Sequence, residues 1–227
     1  MFIKQNSLTR YCMSKQNKVC YTAIFGDYEE LKTPAIVSEG WDYICFTDQP
    51  LESDVWKIVK MDVIDTPQRT ARWVKIMGWI DWEYSMWIDA SFQINIDLNG
   101  WWDLRYKTDF NCAKHPLRNS IYHECRSCNA NGRGDGGKVD EQWKRYIALD
   151  VPEYGCKLIT SGILLRKNTD ENIKLHEAWW KELSSQSVRD QLAFAFVSKD
   201  VNFINMYLWD YSQSKEFKYI KHKHLRH

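Results

Sequence analysis

Three short apolar runs in this chain each stop at an acidic turn, and that pattern leaves few folds open. Val19-Cys20-Tyr21-Thr22-Ala23-Ile24-Phe25 ends at Gly26-Asp27, Asp42-Tyr43-Ile44-Cys45-Phe46-Thr47 at Asp48, and Tyr84-Ser85-Met86-Trp87-Ile88 at Asp89. Runs of β-branched and aromatic residues bounded by turn residues are strand signals, and the last is continuous enough to be buried on both faces. Trp56-Lys57-Ile58-Val59-Lys60 adds a fourth strand. Between it and the Tyr84 run, Asp65-Thr66-Pro67 starts a helix, with Thr66 as N-cap and Pro67 in the first position; Trp73, Ile76, Met77 and Ile80 form its apolar face. Three strands, a helix and a buried strand make an α/β order with a mostly parallel sheet. Ligands of such sheets bind beyond the carboxyl ends of the strands, so Gly26-Asp27, Asp48 and Asp89 are expected at one rim.

The second half opens with a loop from Cys128 to Gly137, rich in glycine and asparagine, for which irregular and mobile backbone is expected. A helix over about 139–149, a strand over 157–166 with Gly162 at a bulge or close backbone approach, and helices over about 170–183 and 187–198 follow. The 227 residues fit a single domain, 1–227, with its core over about 19–198. Twelve tryptophans are more than such a core usually takes in, so some are expected on a groove or rim. A net charge of +1 makes no general case for nucleic acid or membrane. The exception is the basic tail over 215–227, read either as a solvated terminus or as a phosphate-binding or metal-completing end. No stretch approaches the ~20 apolar residues of a membrane span, and Met1 to Asn6 lacks the apolar core of a signal peptide. Seven cysteines without a secretion signal are expected as reduced thiols, which suits a cytoplasmic protein.

Chemistry concentrates at four places. Asp89, followed by the small Ala90 and Ser91, suits a Mg²⁺ or Mn²⁺ ion shared with phosphates; it also suits a cap for the next turn. Arg69, Arg72 and Lys75 step by three along the helix that begins at Pro67, making either a solvated face or an anion site close to a helix N-terminus. Asp190, in Ser187-Val188-Arg189-Asp190-Gln191, reads either as the third helical residue of a capping box or as a site carboxylate. Cys112-x-x-His115 and Cys125-x-x-Cys128 have the spacing of a small zinc site.

Read together and in order, several segments resemble the glycosyltransferase-like domain of plant mucilage-related proteins and their bacterial and viral relatives. They are Tyr21 to Tyr28, Tyr43 to Asp48, Thr66 to Lys75, Trp87 to Ser91, His115 to Glu124, Thr160 to Ile163 and Arg189 to Phe194. The resemblance spans about 19–198 and implies a GT-A-type, Rossmann-like fold with a nucleotide-sugar donor. It implies donor contacts from Ala23, Phe25, Gly26, Asp48, Arg69, Arg72, Lys75, Ala90, Ser91, His115, Ser161 and Gly162. Asp89 and Asp190 are then the catalytic residues, Asp190 as general base or as stabiliser of a sugar cation. GT-A enzymes usually carry Asp-x-Asp, whereas this chain has Asp89-Ala90-Ser91. A Mn²⁺ or Mg²⁺ site is therefore expected from Asp89 and Ser91, completed by His222 or His224.

The activity expected on these grounds is transfer of a sugar to a hydroxyl of a glycan, protein, small molecule or modified DNA base. Trp101-Trp102 and the glycine loop are candidates for an acceptor platform and lid. The competing expectation is a zinc-stapled nucleic-acid-binding module without catalysis.

Overall fold

The computed structural model describes residues 17–220. Strands β1 (Lys18–Ile24), β2 (Trp41–Thr47) and β3 (Lys57–Lys60) are followed by helix α1 (Pro67–Met77) and β4 (Tyr84–Ile88). Then come β5 (Phe92–Ile94), α2 (Leu98–Arg105), β6 (Phe110–Lys114), α3 (Ile121–Ala130) and α4 (Lys138–Ala148). The chain closes with β7 (Ile159–Lys167), α5 (Asp170–Ser185), α6 (Asp190–Val197), β8 (Ile204–Tyr207) and β9 (Phe217–Tyr219). The central seven-stranded sheet has the order β3-β2-β1-β4-β7-β6-β8. Only β7 opposes the rest, pairing antiparallel with both β4 and β6. The fold is thus the mixed α/β architecture expected from the strand order.

Alternation along the strands assigns the two faces. Val19, Tyr21 and Ala23 of β1, Ile44 and Phe46 of β2, and Trp87 of β4 pack with Val74 and Ile76 of α1, Trp179 of α5 and Phe194 of α6. Cys20, Ile24, Tyr43, Cys45, Met86 and Ile88 point the other way, onto Leu98, Trp101 and Trp102 of α2 and Phe217 of the small β5–β9 sheet. The period of two thus puts Asp89 on the Trp87 face, beneath α1.

Three local expectations give way. The 128–137 segment is only partly irregular: α3 runs to Ala130, a single 3₁₀ turn covers Asp135–Gly137, and Asp135 accepts the Val188 N–H at 3.0 Å. Its glycines serve turns, with Gly132, Gly136 and Gly137 at positive φ. Helix α6 begins at Asp190, not Ser187; the Ser187 hydroxyl donates to Gln142 Oε1 at 2.6 Å, so there is no capping box. Trp101 and Trp102 are buried in the α2-side core and make no platform. Seven of the tryptophans are buried (Trp41, Trp56, Trp79, Trp87, Trp101, Trp102 and Trp179), and the other five are half-buried.

Candidate active site

Thr66 caps α1 through its Oγ, which accepts the Arg69 N–H, and Pro67 occupies the first turn. Pro67 lies against Gly26: a side-chain carbon on Gly26 would come 3.3 Å from the proline ring, and its φ of +65° also favours glycine. Helix α1 therefore starts at the carboxyl rim and runs down across β1, where the Tyr21 hydroxyl donates to the Lys75 carbonyl at 2.7 Å. Side chains lean toward a helix's N-terminus, so the long Lys75 stem points back toward the rim through the core.

Its ammonium ends, fully buried, between two carboxylates. Lys75 Nζ lies 2.9 Å from Asp89 Oδ1 and 2.9 Å from Asp190 Oδ2, with Ser161 Oγ at 3.3 Å. The Trp87 ring centroid is 5.3 Å away, and Trp87 Nε1 donates to Asp89 Oδ1 at 2.8 Å. Ser161 arrives there because β7 is antiparallel and bulged. Its partners on β6 jump from Leu164 (Cys112) to Thr160 (Ala113), while Ile163 still pairs with Ile88, so the bulge turns Ser161-Gly162 into the rim. Gly162 makes that approach possible: a Cβ there would meet Phe92 Cε2 at 2.9 Å and Asp89 Oδ2 at 3.6 Å. Gly162 O also accepts the Asp89 N–H at 2.8 Å.

Asp190 is buried and closely held. Its Oδ2 accepts from Lys75 and, at 2.8 Å, from Ser161 Oγ, and Arg72 Nε stands 3.6 Å away. Its Oδ1 accepts the Gln191 N–H at 3.1 Å. Burial alone would raise the Asp190 pKa, but Arg72, Lys75 and the hydrogen bonds outweigh it and hold the carboxyl well below its usual range. Such a group is a weak proton acceptor near neutral pH; it suits charge pairing better than general-base work. Asp89 differs, with its carboxylate 32% exposed, and Arg72, one helical turn nearer the rim than Lys75, is 30% exposed. Burial lowers the Arg72 pKa, but Asp190 and Asp89 outweigh it and raise the value above normal, so the guanidinium stays charged.

Arg69 faces elsewhere. Its guanidinium donates to the carbonyls of Leu183 (3.0 Å), Ser184 (3.1 Å) and Gln186 (2.6 Å), satisfying the open C-terminus of α5. The stripe Arg69-Arg72-Lys75 thus divides into a structural cap and two site cations. His115 is likewise occupied: Nδ1 accepts the N–H groups of Leu117 (3.2 Å) and Arg118 (3.0 Å), and Nε2 faces Arg118 Nη2 at 3.0 Å. Burial is the main cause of its lowered pKa, with Glu124 opposing and Arg118 adding to the effect. It organises the turn after β6, where Arg118 also pairs with Glu124. Asp48 accepts the Gly26 N–H at 3.0 Å, fixing the loop after β1. Ala23 and Phe25 are buried in the α1-side core, Ala90 is half-buried, and Ser91 is buried, its carbonyl accepting the Ile220 N–H at 2.8 Å. His222 and His224 lie outside the described residues.

The zinc expectation fails on geometry. Cys112 packs in the α1-side core, whereas Cys125 and Cys128 sit in a separate core between α3, α4 and α6. Among the described residues no three His, Cys, Asp or Glu side chains converge as metal ligands. Burial pushes the Cys125 thiol up to about 12 and the Cys128 thiol up to about 11, so neither is a ready thiolate.

Two features of the site escaped the sequence reading. Arg166, near the end of the apolar β7 run, is fully buried; Nη1 donates to the Lys75 carbonyl at 2.9 Å and Nη2 to the Tyr21 hydroxyl, fixing the helical turn that carries Lys75. Arg189 and Arg133 extend the basic edge. Burial, and repulsion from Arg72 and Arg133, lower the Arg189 pKa against the pull of Cys128 and Asp190, and Arg189 Nε donates to the Arg133 carbonyl at 3.2 Å. A basic residue directly before Asp190 and an arginine inside the glycine loop were the available signals.

Comparison with known proteins identifies the family. The profile of the TOD1/MUCI70 glycosyltransferase-like domain matches residues 50–224, so the β1 and β2 segments precede the matched region. No curated protein sequence matches the chain. Among solved structures, a WbbM bifunctional glycosyltransferase in its apo form superimposes with a TM-score of 0.49 at 7% identity. The superposition covers 87% of this chain but 39% of that one, so this chain spans less than half of that protein's length. Among the described residues no helix is long and apolar enough to cross a membrane.

Proposed function

Because this chain belongs to the TOD1/MUCI70 glycosyltransferase-like domain family, we propose that it moves a sugar from a nucleotide-sugar donor to a hydroxyl acceptor at the Lys75–Asp89–Asp190 cluster. The observation that carries this reading is a pair of cations, Lys75 and Arg72, held by fixed carboxylates at the carboxyl rim of the sheet. When the bond from a sugar to a diphosphate breaks, negative charge builds on the leaving phosphate. Cations already aimed at that place stabilise the charge without reorganising. Arg72, partly exposed, makes the phosphate contact, and Arg189 and Arg133 add to the positive edge. Lys75 acts as a fixed charge beneath them. The open oxygen of Asp89, Oδ2, accepts hydroxyls of the donor sugar or of the acceptor. Asp190 is a positioning residue that holds Lys75 and Arg72 in place.

Thermal-shift measurement against a panel of nucleoside diphosphates and nucleotide sugars tests the reading. One nucleotide class is expected to raise Tm, and its sugar conjugate to be turned over with release of the diphosphate. Asp89→Asn is expected to retain nucleotide binding and to lower turnover by about 100-fold. No stabilisation by any member of the panel would overturn the proposal.

A further inference from the structure

We infer that this site handles its donor without a divalent cation, because the Lys75 ammonium occupies the place in charge and space that the cation would take; the inference rests on the transferase reading above. The donor set does not fit a resident Mg²⁺ or Mn²⁺. Such ions are held by carboxylate oxygens shared with phosphates, at about 2.0–2.2 Å. Here Asp89 Oδ1 is already engaged by Lys75 Nζ at 2.9 Å and by Trp87 Nε1 at 2.8 Å. A dication on that oxygen would stand within about 5 Å of a buried ammonium, where poor screening makes like charges repel strongly. Only Oδ2 is left to it, and the residue two places on is Ser91, a neutral hydroxyl in a buried position. Asp190, the remaining carboxylate of the cluster, accepts from Lys75 and Ser161 through Oδ2 and from Gln191 through Oδ1.

The charges balance without a metal. Asp89 and Asp190 carry two negative charges, Lys75 and Arg72 two positive ones, and the exposed part of Arg72 with Arg189 and Arg133 leaves a positive edge for a diphosphate. A lysine in this place also has a consequence that a structural lysine elsewhere would not have. Its loss leaves two carboxylate oxygens that both lay 2.9 Å from one nitrogen, which is the preformed half of a cation site.

The test uses the full chain and two metal conditions. Wild-type protein is titrated calorimetrically with UDP, GDP, ADP and CDP, once with EDTA and once with Mn²⁺. The diphosphate that binds is expected to do so with affinities equal within about threefold in the two conditions. Tightening by more than about tenfold with Mn²⁺ would overturn the inference and leave the transferase reading standing. Absence of binding by all four in both conditions would overturn the transferase reading and the inference with it. In parallel, Tm is measured with and without Mn²⁺ for wild type, Lys75→Gln and Lys75→Met, with circular dichroism as the check on folding. Wild type is expected to ignore the metal, and whichever variant stays folded to be stabilised by it. A folded variant indifferent to Mn²⁺, or a wild-type chain that responds as strongly, would contradict the role assigned to Lys75.

Discussion

At the scale of single residues, the informative contrast is between Arg69, Arg72 and Lys75, three cations one turn apart on the same helix with three different fates. Arg69 satisfies backbone carbonyls of α5, Arg72 half-emerges at the rim, and Lys75 is fully buried between carboxylates. Spacing by three made them neighbours in the sequence reading; it carried no information on how deep each would lie, which depends on α5, β7 and α6. Removing the cap by Arg69→Met is expected to cost about 2–3 kcal/mol, since charged hydrogen bonds to carbonyls are lost, and to leave nucleotide affinity unchanged. Chemical denaturation and calorimetry on one sample check both halves. Asp190 belongs to the same scale. Its native pKa lies below its unfolded value, so its ionised form adds stability above the unfolded pKa of about 3.9, and that share is lost as pH falls through the native value. Asp190→Asn is expected to lower stability at neutral pH by about 3 kcal/mol and to flatten the loss of stability below about pH 4. Equal acid slopes for the two proteins in denaturation curves would refute the pairing.

At the scale of elements, β1, β2 and β4 read clearly in the sequence because they are almost wholly buried. Runs such as Cys20 to Ile24 and Ser85 to Ile88 are buried on both faces, so composition alone marks them. The short strands β5, β8 and β9 carry mixed burial and take their shape from partners far along the chain, as Phe92 pairing with Tyr219 illustrates, and no local period announces them. The glycine-rich segment misled for a related reason. Asp135 and Arg189 tie it to the start of α6, a contact no local propensity can reveal. The β7 bulge is the element on which the site turns, and Gly162 is its weak point. Gly162→Ala is expected to destabilise by about 1–3 kcal/mol through collision with Phe92, and Phe92→Leu to recover part of that loss. A double-mutant cycle with additive effects would show that the two do not touch.

At the scale of the whole molecule, seven buried tryptophans and six buried cysteines among the described residues give a core of bulky and soft side chains, packed on both faces of the sheet and, for Cys125, Cys128 and Cys156, around α3, α4 and α6. Those thiols are expected to resist alkylation until the chain unfolds. Brief iodoacetamide treatment followed by mass spectrometry reports it, and rapid native labelling of Cys112, Cys125 or Cys128 would contradict the packing. The α/β class, the carboxyl rim and the candidate residues Asp89, Lys75, Asp190 and Ser161 were legible because strand ends and a resemblance over most of the chain point at the same place. Depth, pairing and the supporting Tyr21–Arg166 contact were not, because they arise where β1, α1 and β7 meet. The rim above this buried contact, at Arg72, is where a nucleotide donor's diphosphate is proposed to bind. The most direct test is calorimetric titration of wild type and Arg72→Gln with whichever of UDP, GDP, ADP or CDP binds the wild-type chain. Arg72→Gln is expected to fold unchanged and to bind at least about tenfold more weakly; equal affinity for the two proteins would remove Arg72 from the diphosphate site.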